Sequence, residues 1–437
     1  MPAPGGPPVA SAAVPPPAAG VAFRAPKGTQ DVLVPESARW EALLATFAAT
    51  VEGAGYGLVQ SPMFEELGVF QRLGEGTDVV RKEMYDFVDK GGRTLALRPE
   101  GTASVVRAFV QHRPTTPWKA WYAAPCFRYE QPQSGRLRQH HQVGIEALGS
   151  ADPDLDVEVI AVGHDYLAAL GLRQVVLLLN SMGTREDRTR YVELLKTWLA
   201  DRRGDLAEED RGKVDEAPMR VLDSKRKTTQ EVVATAPRIT DHLSDEAGQH
   251  FERVQTGLRQ LGVDAVLEPR LVRGLDYYTH TTFEFQSSAL DAAQATLVGG
   301  GRYDGLTEEL GGPSTPGVGF GSGIERVLLA CDAEEVFPAP ASTLDVYVVD
   351  VAGGDAARDL STALRRAGVR ADRAFDGRSM RAQMKAADRS GARVALIVGE
   401  QEQLDGTVGV RSLQASERHQ VAVARSEVVT HVKELLS

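Results

Sequence analysis

Cysteine is almost missing from this 437-residue chain. Cys126 and Cys331 form neither a zinc-ligand spacing nor a disulfide framework, which fits a reducing compartment. No apolar run approaches the length that spans a bilayer, so no membrane partner is expected and a cytoplasmic location is. The first 20 residues, MPAPGGPPVASAAVPPPAAG, lack any charged side chain and carry seven prolines. A secretory signal needs a basic start and an unbroken apolar core, so residues 1–22 are expected to be a disordered leader. The glycine-rich stretch GVGFGSGIERVLLAC matches neither G-x-G-x-x-G nor G-x-x-x-x-G-K-[ST], which removes the dinucleotide-fold and phosphate-loop readings.

Hydrophobic residues at 42% and charged residues at 25% are ordinary for a soluble chain, and this length suggests two or three cores. A net charge of −11 excludes a generic nucleic-acid coat, although a local basic groove would still act. The charge is uneven. From Thr343 onward 14 Lys and Arg face 13 Asp and Glu, so all of the excess acid lies before it.

Residues 97–149 hold the densest polar pattern. Two strand-like runs, WKAWYAAPCFRYE and RQHHQVGIEALG, flank the turn-rich QPQSGR, which predicts an antiparallel hairpin. Alternation would put Arg128 and Glu130 on one face, and Gln142, Gly144 and Glu146 likewise. Guanidiniums, carboxylates and a bare glycine together suit a small zwitterion or a phosphate; a solvated hairpin with surface ion pairs is the plainer alternative. In GVGFGSG, Gly317, Gly319, Gly321 and Gly323 alternate with Val318, Phe320 and Ser322. A strand there has one face without side chains, either a platform for a flat ligand or a packed bulge. Arg326 falls in the first turn of the helix that follows. Gly299, Gly300 and Gly301 similarly permit close backbone approach.

Around these motifs the pattern is regular. A helix is predicted near residues 35–53, with Trp40, Leu43, Leu44, Phe47 and Val51 on one face. LVQSPMFEE reads as an edge strand containing Pro62, and MYDFVDKGGRTLALR as two strands around a Lys-Gly-Gly turn. Another helix should run from Asp152 toward Gly171. Residues 185–262 read as a charge-rich helical insertion with solvated faces. In AVLEPRLVRGLDYYTHTTFEFQS, Arg270, Arg273, Asp276, Tyr277 and Tyr278 cluster around one glycine. From residue 343 four strands and three helices make a small α/β unit with a partly parallel sheet. Arg378, Arg381, Lys385 and Arg389 line one side of its second helix, as a solubilising face or a polyanion contact.

Together these motifs resemble the histidyl-tRNA synthetase family, from PKGTQDVLVPESARW onward. PKGTQD and the Pro62 segment resemble the first class II synthetase motif, RPEGTA with FRYEQPQSGRLRQHHQVGIE the second, and GVGFGSGIER the third. LVRGLDYY and GGGRYDGL are similar to segments particular to the histidine enzymes. The resemblance implies an α+β catalytic domain (23–338) on a six- or seven-stranded antiparallel sheet, with the helical insertion at about 185–262. It also implies a C-terminal α/β anticodon-binding domain (343–437) and a homodimer. The implied activity is ATP-dependent: L-histidine becomes histidyl-adenylate, with Mg²⁺ on the phosphates, and is then transferred to tRNA(His). By matching position, Arg128 and Arg326 would meet the α- and γ-phosphates, with Glu130 also at ATP. Arg273 would sit between histidine carboxylate and α-phosphate. Glu100, Thr102 and Gln142 would hold the ammonium, and Glu146 and Tyr278 the imidazole, with Tyr277 and Tyr303 beside it. Gln133 and Arg136, with the stripe from Arg378 to Arg389, would touch tRNA. Two positions depart from the family: Gln131 replaces an arginine and His140 an aromatic residue, at or beside the hairpin tip that approaches the acceptor end. The rival is the non-catalytic, synthetase-like regulatory subunit of ATP phosphoribosyltransferase. Such subunits typically lack the anticodon-binding domain and an intact LVRGLDYY, and this chain has both.

Overall fold

A computed structural model describes residues 22–72, 82–130, 136–273, 277–291, 294–341, 344–414 and 419–437. The chain divides into two compact units between Pro338 and Ala339. The first contains β1 (Gly57–Leu58), β2 (Phe64–Glu66), β3 (Asp86–Val88), β4 (Thr94–Leu97), β5 (Trp118–Phe127), β6 (Gln139–Leu148), β7 (Val175–Ser181), β8 (Ala265–Leu267), β9 (Thr279–Ser287), β10 (Thr296–Arg302) and β11 (Gly317–Gly323). Eight of these form one sheet in the order β1-β5-β6-β11-β10-β9-β7-β8. The six inner strands are antiparallel, whereas β1 pairs with β5 and β8 with β7 in parallel. The expected all-antiparallel sheet thus gains a short parallel strand at each edge. LVQSPMFEE is not one strand either. It divides around Pro62 into β1 of the large sheet and β2 of a separate sheet, β2-β4-β3, because proline cannot donate to a ladder.

One face of the large sheet is buried under helices. Val143, Ile145 and Ala147 of β6, Val318 and Phe320 of β11, and Phe283 and Phe285 of β9 enter a shared core. The Glu36–Gly53 helix adds Leu43, Phe47 and Val51 to it, and the Pro153–Ala169 helix adds Val159, Ile160 and Tyr166. The latter starts where Asp152 Oδ1 accepts the Asp154 N–H at 3.0 Å, followed by Pro153 at its first position. It gives way to Gly171, at φ +83°, a left-handed conformation that favours glycine. Residues 185–262 are not a self-contained insertion. Phe251, Val254 and Leu258 of the Asp245–Gln260 helix pack into the sheet core. Nor are all its charges solvated: Asp210 is buried, accepting from the Ser224 and Thr229 hydroxyls, Lys213 and Arg226.

The second unit contains β12 (Val346–Asp350), β13 (Ala371–Arg373), β14 (Val394–Val398), β15 (Thr407–Ser412) and β16 (Gln420–Ala424), in the order β13-β12-β14-β15-β16. The first three are parallel and the last two antiparallel. The fifth strand, β16, was hidden in QVAVA, an exposed edge run with only Val423 buried.

Candidate active site

The side-chain-poor face of β11 lies opposite the helical core. Cross-strand register sets Gly144, Gly321 and Gly299 in one row, and Glu146, Gly319 and Gly301 in the next. This glycine floor is what lets large polar side chains lie flat. A Cβ on Gly319 would overlap the Glu146 carboxylate, and one on Gly299 the Arg273 guanidinium. A Cβ on Gly144 would come within 2.5 Å of the Tyr122 ring, and one on Gly317 within 2.5 Å of Tyr303. Only the far end stays open: a Cβ on Gly321 would meet nothing nearer than the Tyr122 hydroxyl at 3.5 Å, and one on Gly323 nothing within 4 Å. The expected platform for a flat group therefore exists, but over Gly321 and Gly323 rather than the whole strand.

At the filled end stands a carboxylate pocket. Glu146 is fully buried and accepts from the Thr102 hydroxyl at 2.7 Å and from the Tyr303 hydroxyl. Burial pushes its carboxyl up to about 8 against those two hydrogen bonds, with the Glu100 charge pushing the same way. Glu100 accepts from the N–H groups of Thr102 (2.7 Å) and Ala103 (2.8 Å), which begin the Thr102–His112 helix. Burial raises its pKa while those bonds lower it. Tyr277, Tyr278 and Tyr303 are buried together, with ring centroids 4.6 Å (Tyr277–Tyr278) and 5.7 Å (Tyr277–Tyr303) apart. Gln142 Oε1 accepts from the Cys126 thiol at 3.5 Å; burial raises that thiol to about 12, keeping it a donor. Tyr122, which the sequence reading left unassigned, lies buried beside Glu146 and Glu100, whose charges, after burial, raise its pKa.

Toward the open end the charge changes sign. Arg326 is held below its ordinary value by burial, then by the nearby guanidiniums of Arg136 and Arg128. Such crowding of cations prepares a site for a polyanion. Arg128 Nε donates to Pro99 O at 2.9 Å, and Arg136 pairs with Glu130 at 3.4 Å. One expectation needs correction. The strand ends at Phe127, and the Glu130 N–H turns back to Arg128 O at 2.8 Å, so strand alternation does not place Arg128 and Glu130. His140 is the second residue of β6, opposite Cys126 and so beside the hairpin tip as expected; burial, then Arg128 and Arg326 beside it, depress its pKa. Arg273 forms an ion pair with Glu284 of β9, and Glu284 also accepts from Gln286 (2.8 Å) and Thr296 (2.9 Å). Burial opposes the Arg273 charge, but Glu284 and Tyr278 hold its pKa above the ordinary value. Sequence reasoning missed Glu284. Its signal was TFEFQS, where a carboxylate alternates with two core phenylalanines.

In the second unit Arg381, Lys385 and Arg389 are exposed on the Met380–Ser390 helix. Arg378 precedes that helix, before its cap Ser379, and lies 3.7 Å from Asp376. Arg378, Arg358, Arg373 and exposed Phe375 line a cleft of about 740 Å³ beside that helix start. Gln131 and Gln133, with residues 274–276 of LVRGLDYY, lie outside the described residues.

A sheet that carries a buried carboxylate pocket beside clustered guanidiniums, followed by a partly parallel α/β unit, defines a class II aminoacyl-tRNA synthetase with an anticodon-binding domain. Residues 28–327 match the model of the histidyl-tRNA synthetase family, and residues 345–435 that of the anticodon binding domain. The histidine–tRNA ligase of Mycolicibacterium vanbaalenii is 48% identical over 422 residues, 95% of this chain and 99% of the relative. That of Geobacillus kaustophilus is 46% identical over 411 residues, 92% and 96% of the two chains. The crystal structure of apo S. aureus histidyl-tRNA synthetase superposes with a TM-score of 0.78 at 35% identity, covering 94% of this chain and all of that one. The chain belongs to the histidyl-tRNA synthetase family.

Proposed function

We propose that this protein is the histidine–tRNA ligase of its cell, an ATP-dependent enzyme that forms histidyl-adenylate and passes histidine to tRNA(His). The observation that carries the reading is Glu146, buried between the Thr102 and Tyr303 hydroxyls at the base of a tyrosine-walled pocket. An imidazole has two ring nitrogens to satisfy. Glu146 and Tyr278 serve them, with Tyr277 and Tyr303 as walls. Glu100, the Thr102 oxygen and Gln142 hold the α-ammonium, which leaves the carboxylate facing the arginines.

The first step brings a carboxylate onto a polyphosphate, so anion repulsion is the obstacle and no general base is needed. Guanidiniums fixed out of water oppose it best. Arg273 lies between histidine carboxylate and α-phosphate, Arg128 on the α-phosphate and Arg326 on the γ-phosphate, with Glu130 near the nucleotide. Arg136, whose charge reaches Arg326, joins the phosphate set rather than tRNA. The open floor over Gly321 and Gly323 leaves space for the flat base. Mg²⁺ usually binds through one or two carboxylates plus phosphate oxygens. Glu130 and Glu284, whose charges also reach Arg326, fit that donor set; the ion would neutralise phosphate charge.

The small sheet β2-β4-β3, β1 and the segment joining β1 to β2 expose Met63, Phe64, Phe87, Val88 and Leu58, an apolar surface that supports a homodimer. Among the described residues no helix is long and apolar enough to cross a membrane, and the protein is proposed to work in the cytoplasm.

Charging of tRNA(His) transcript tests the whole reading. Histidine should be esterified to it in the presence of ATP and Mg²⁺, and a protein that binds histidine but charges nothing would favour a regulatory role. The second unit makes a separate prediction. Replacing Arg378, Arg381, Lys385 and Arg389 with glutamine should flatten the slope of log K against log [salt] for tRNA binding by about 0.7–0.9 for each phosphate no longer neutralised. An unchanged slope would return these residues to a solubilising face.

A further inference from the structure

On the core side of the sheet, behind the carboxylate pocket, lies an ion pair that the catalytic reading does not use. Arg302 ends β10, is wholly buried, and immediately precedes Tyr303. Its Nε lies 3.2 and 3.1 Å from the two carboxylate oxygens of Asp156, and Nη2 also pairs with Asp156. Nη1 donates to Ser150 O at 2.9 Å and Asp304 Oδ1 at 3.2 Å, and Nη2 to Asp152 O at 3.3 Å. Asp156, equally buried, also meets His250 Nε2 at 3.4 Å. Desolvation offsets much of the attraction in such a pair, so it is weak evidence for stability; its best-attested use is to specify register.

The local register is unusual. Pairing of β10 with β9 shifts between Gly301 and Arg302. Gly301, at φ +156°, has no room for a side chain, since a Cβ would sit 2.5 Å from Thr281 O and 2.9 Å from Tyr278. Just past this irregularity, the Tyr303 N–H donates to Gly317 O at 2.7 Å while its hydroxyl donates to Glu146. Asp304, an acceptor for Arg302, also takes the Gly317 N–H at 3.2 Å, and the Asp304 N–H reaches Thr279 Oγ1 at 3.3 Å, next to Tyr278. A one-residue slip would turn Tyr303 to the other face.

The geometry points to Arg302 and Asp156 as positioning residues for imidazole recognition: their ion pair sets the register of β10 in which Tyr303 meets Glu146. Neither touches the pocket, and both act through Tyr303. The inference rests on the histidine reading of that pocket.

Two variants test it, Arg302→Lys, which keeps the charge but loses the fork, and the apolar pair Arg302→Met with Asp156→Leu. Folding is checked by circular dichroism, histidine binding by calorimetry and kinetics by pyrophosphate exchange. At least one variant should fold and show a histidine KM raised roughly tenfold or more, the scale of a lost charge-linked hydrogen bond, with ATP KM within about twofold. Adding Tyr303→Phe to the folded variant should cost little more, because residues that act as a unit are non-additive. Equal rises in both KM values, unchanged histidine KM, or failure of both variants to fold would overturn the proposal. If the wild type binds no histidine, the reading of the pocket fails first and this inference with it.

Discussion

Arg273→His should slow histidyl-adenylate formation by about 10²–10³, the usual loss on removing one preorganised donor from a developing anion, while ATP KM changes only a few-fold. The reason lies in where the charge is held. Arg273 lies flat over Gly299, paired with Glu284, and Glu284 is itself fixed by Gln286 and Thr296. That frame holds the guanidinium beside the pocket before substrates arrive, so it opposes repulsion between the two anions at little reorganisation cost. On the proposed assignment Arg128, Arg136 and Arg326 would still hold the triphosphate, which should keep ATP binding nearly intact. Pyrophosphate exchange at saturating histidine separates kcat from ATP KM. An equal factor in both would place Arg273 in general phosphate binding instead. Glu284→Gln should follow in the same direction with a smaller loss, because the guanidinium remains but is less well held.

Glu146→Gln should raise the histidine KM by about ten- to a hundredfold, the range for leaving a buried polar partner unsatisfied. It should also change how stability depends on pH. The native carboxyl titrates at about 8, far above the 4.5 of an unperturbed glutamate. Between those values the native protein holds a proton that the unfolded chain has released. The stabilising contribution is therefore full below about pH 4.5 and is lost as pH rises toward 8. Glutamine cannot ionise, so the variant's Tm relative to wild type should climb between pH 5 and pH 8.5. Thermal scans across that range check the sign; parallel curves would mean that Glu146 is ionised or solvated in the native protein.

Most of this site was legible because strand periodicity is local. Once β6 and β11 were recognised, parity alone put Gln142, Gly144 and Glu146 on one face and the four alternating glycines on another. What parity could not supply was pairing. Register brings Gly319 beneath Glu146 and Gly299 beneath Arg273, and so shows that most of the bare face is already occupied. Glu284 and Arg302 looked like ordinary strand residues, since their partners stand 11 and 146 positions away. His140 already stood in the strand-like run RQHHQVGIEALG, but only the register with Cys126 shows that its side chain lies near Arg128 and Arg326. Residues 185–262 look uniformly charged in sequence. The apolar stripe Phe251, Val254 and Leu258 acquires meaning only when the helix lies against the sheet.

The central claim is that the pocket around Glu146 selects histidine for activation by ATP. Pyrophosphate exchange, run with each of the twenty amino acids in turn, tests it directly. The account predicts strong Mg²⁺-dependent exchange with histidine and only background with the rest, because an apolar rival would offer Glu146 and Tyr278 no hydrogen bond in a dry site. No exchange with histidine, or comparable exchange with another amino acid, would contradict it.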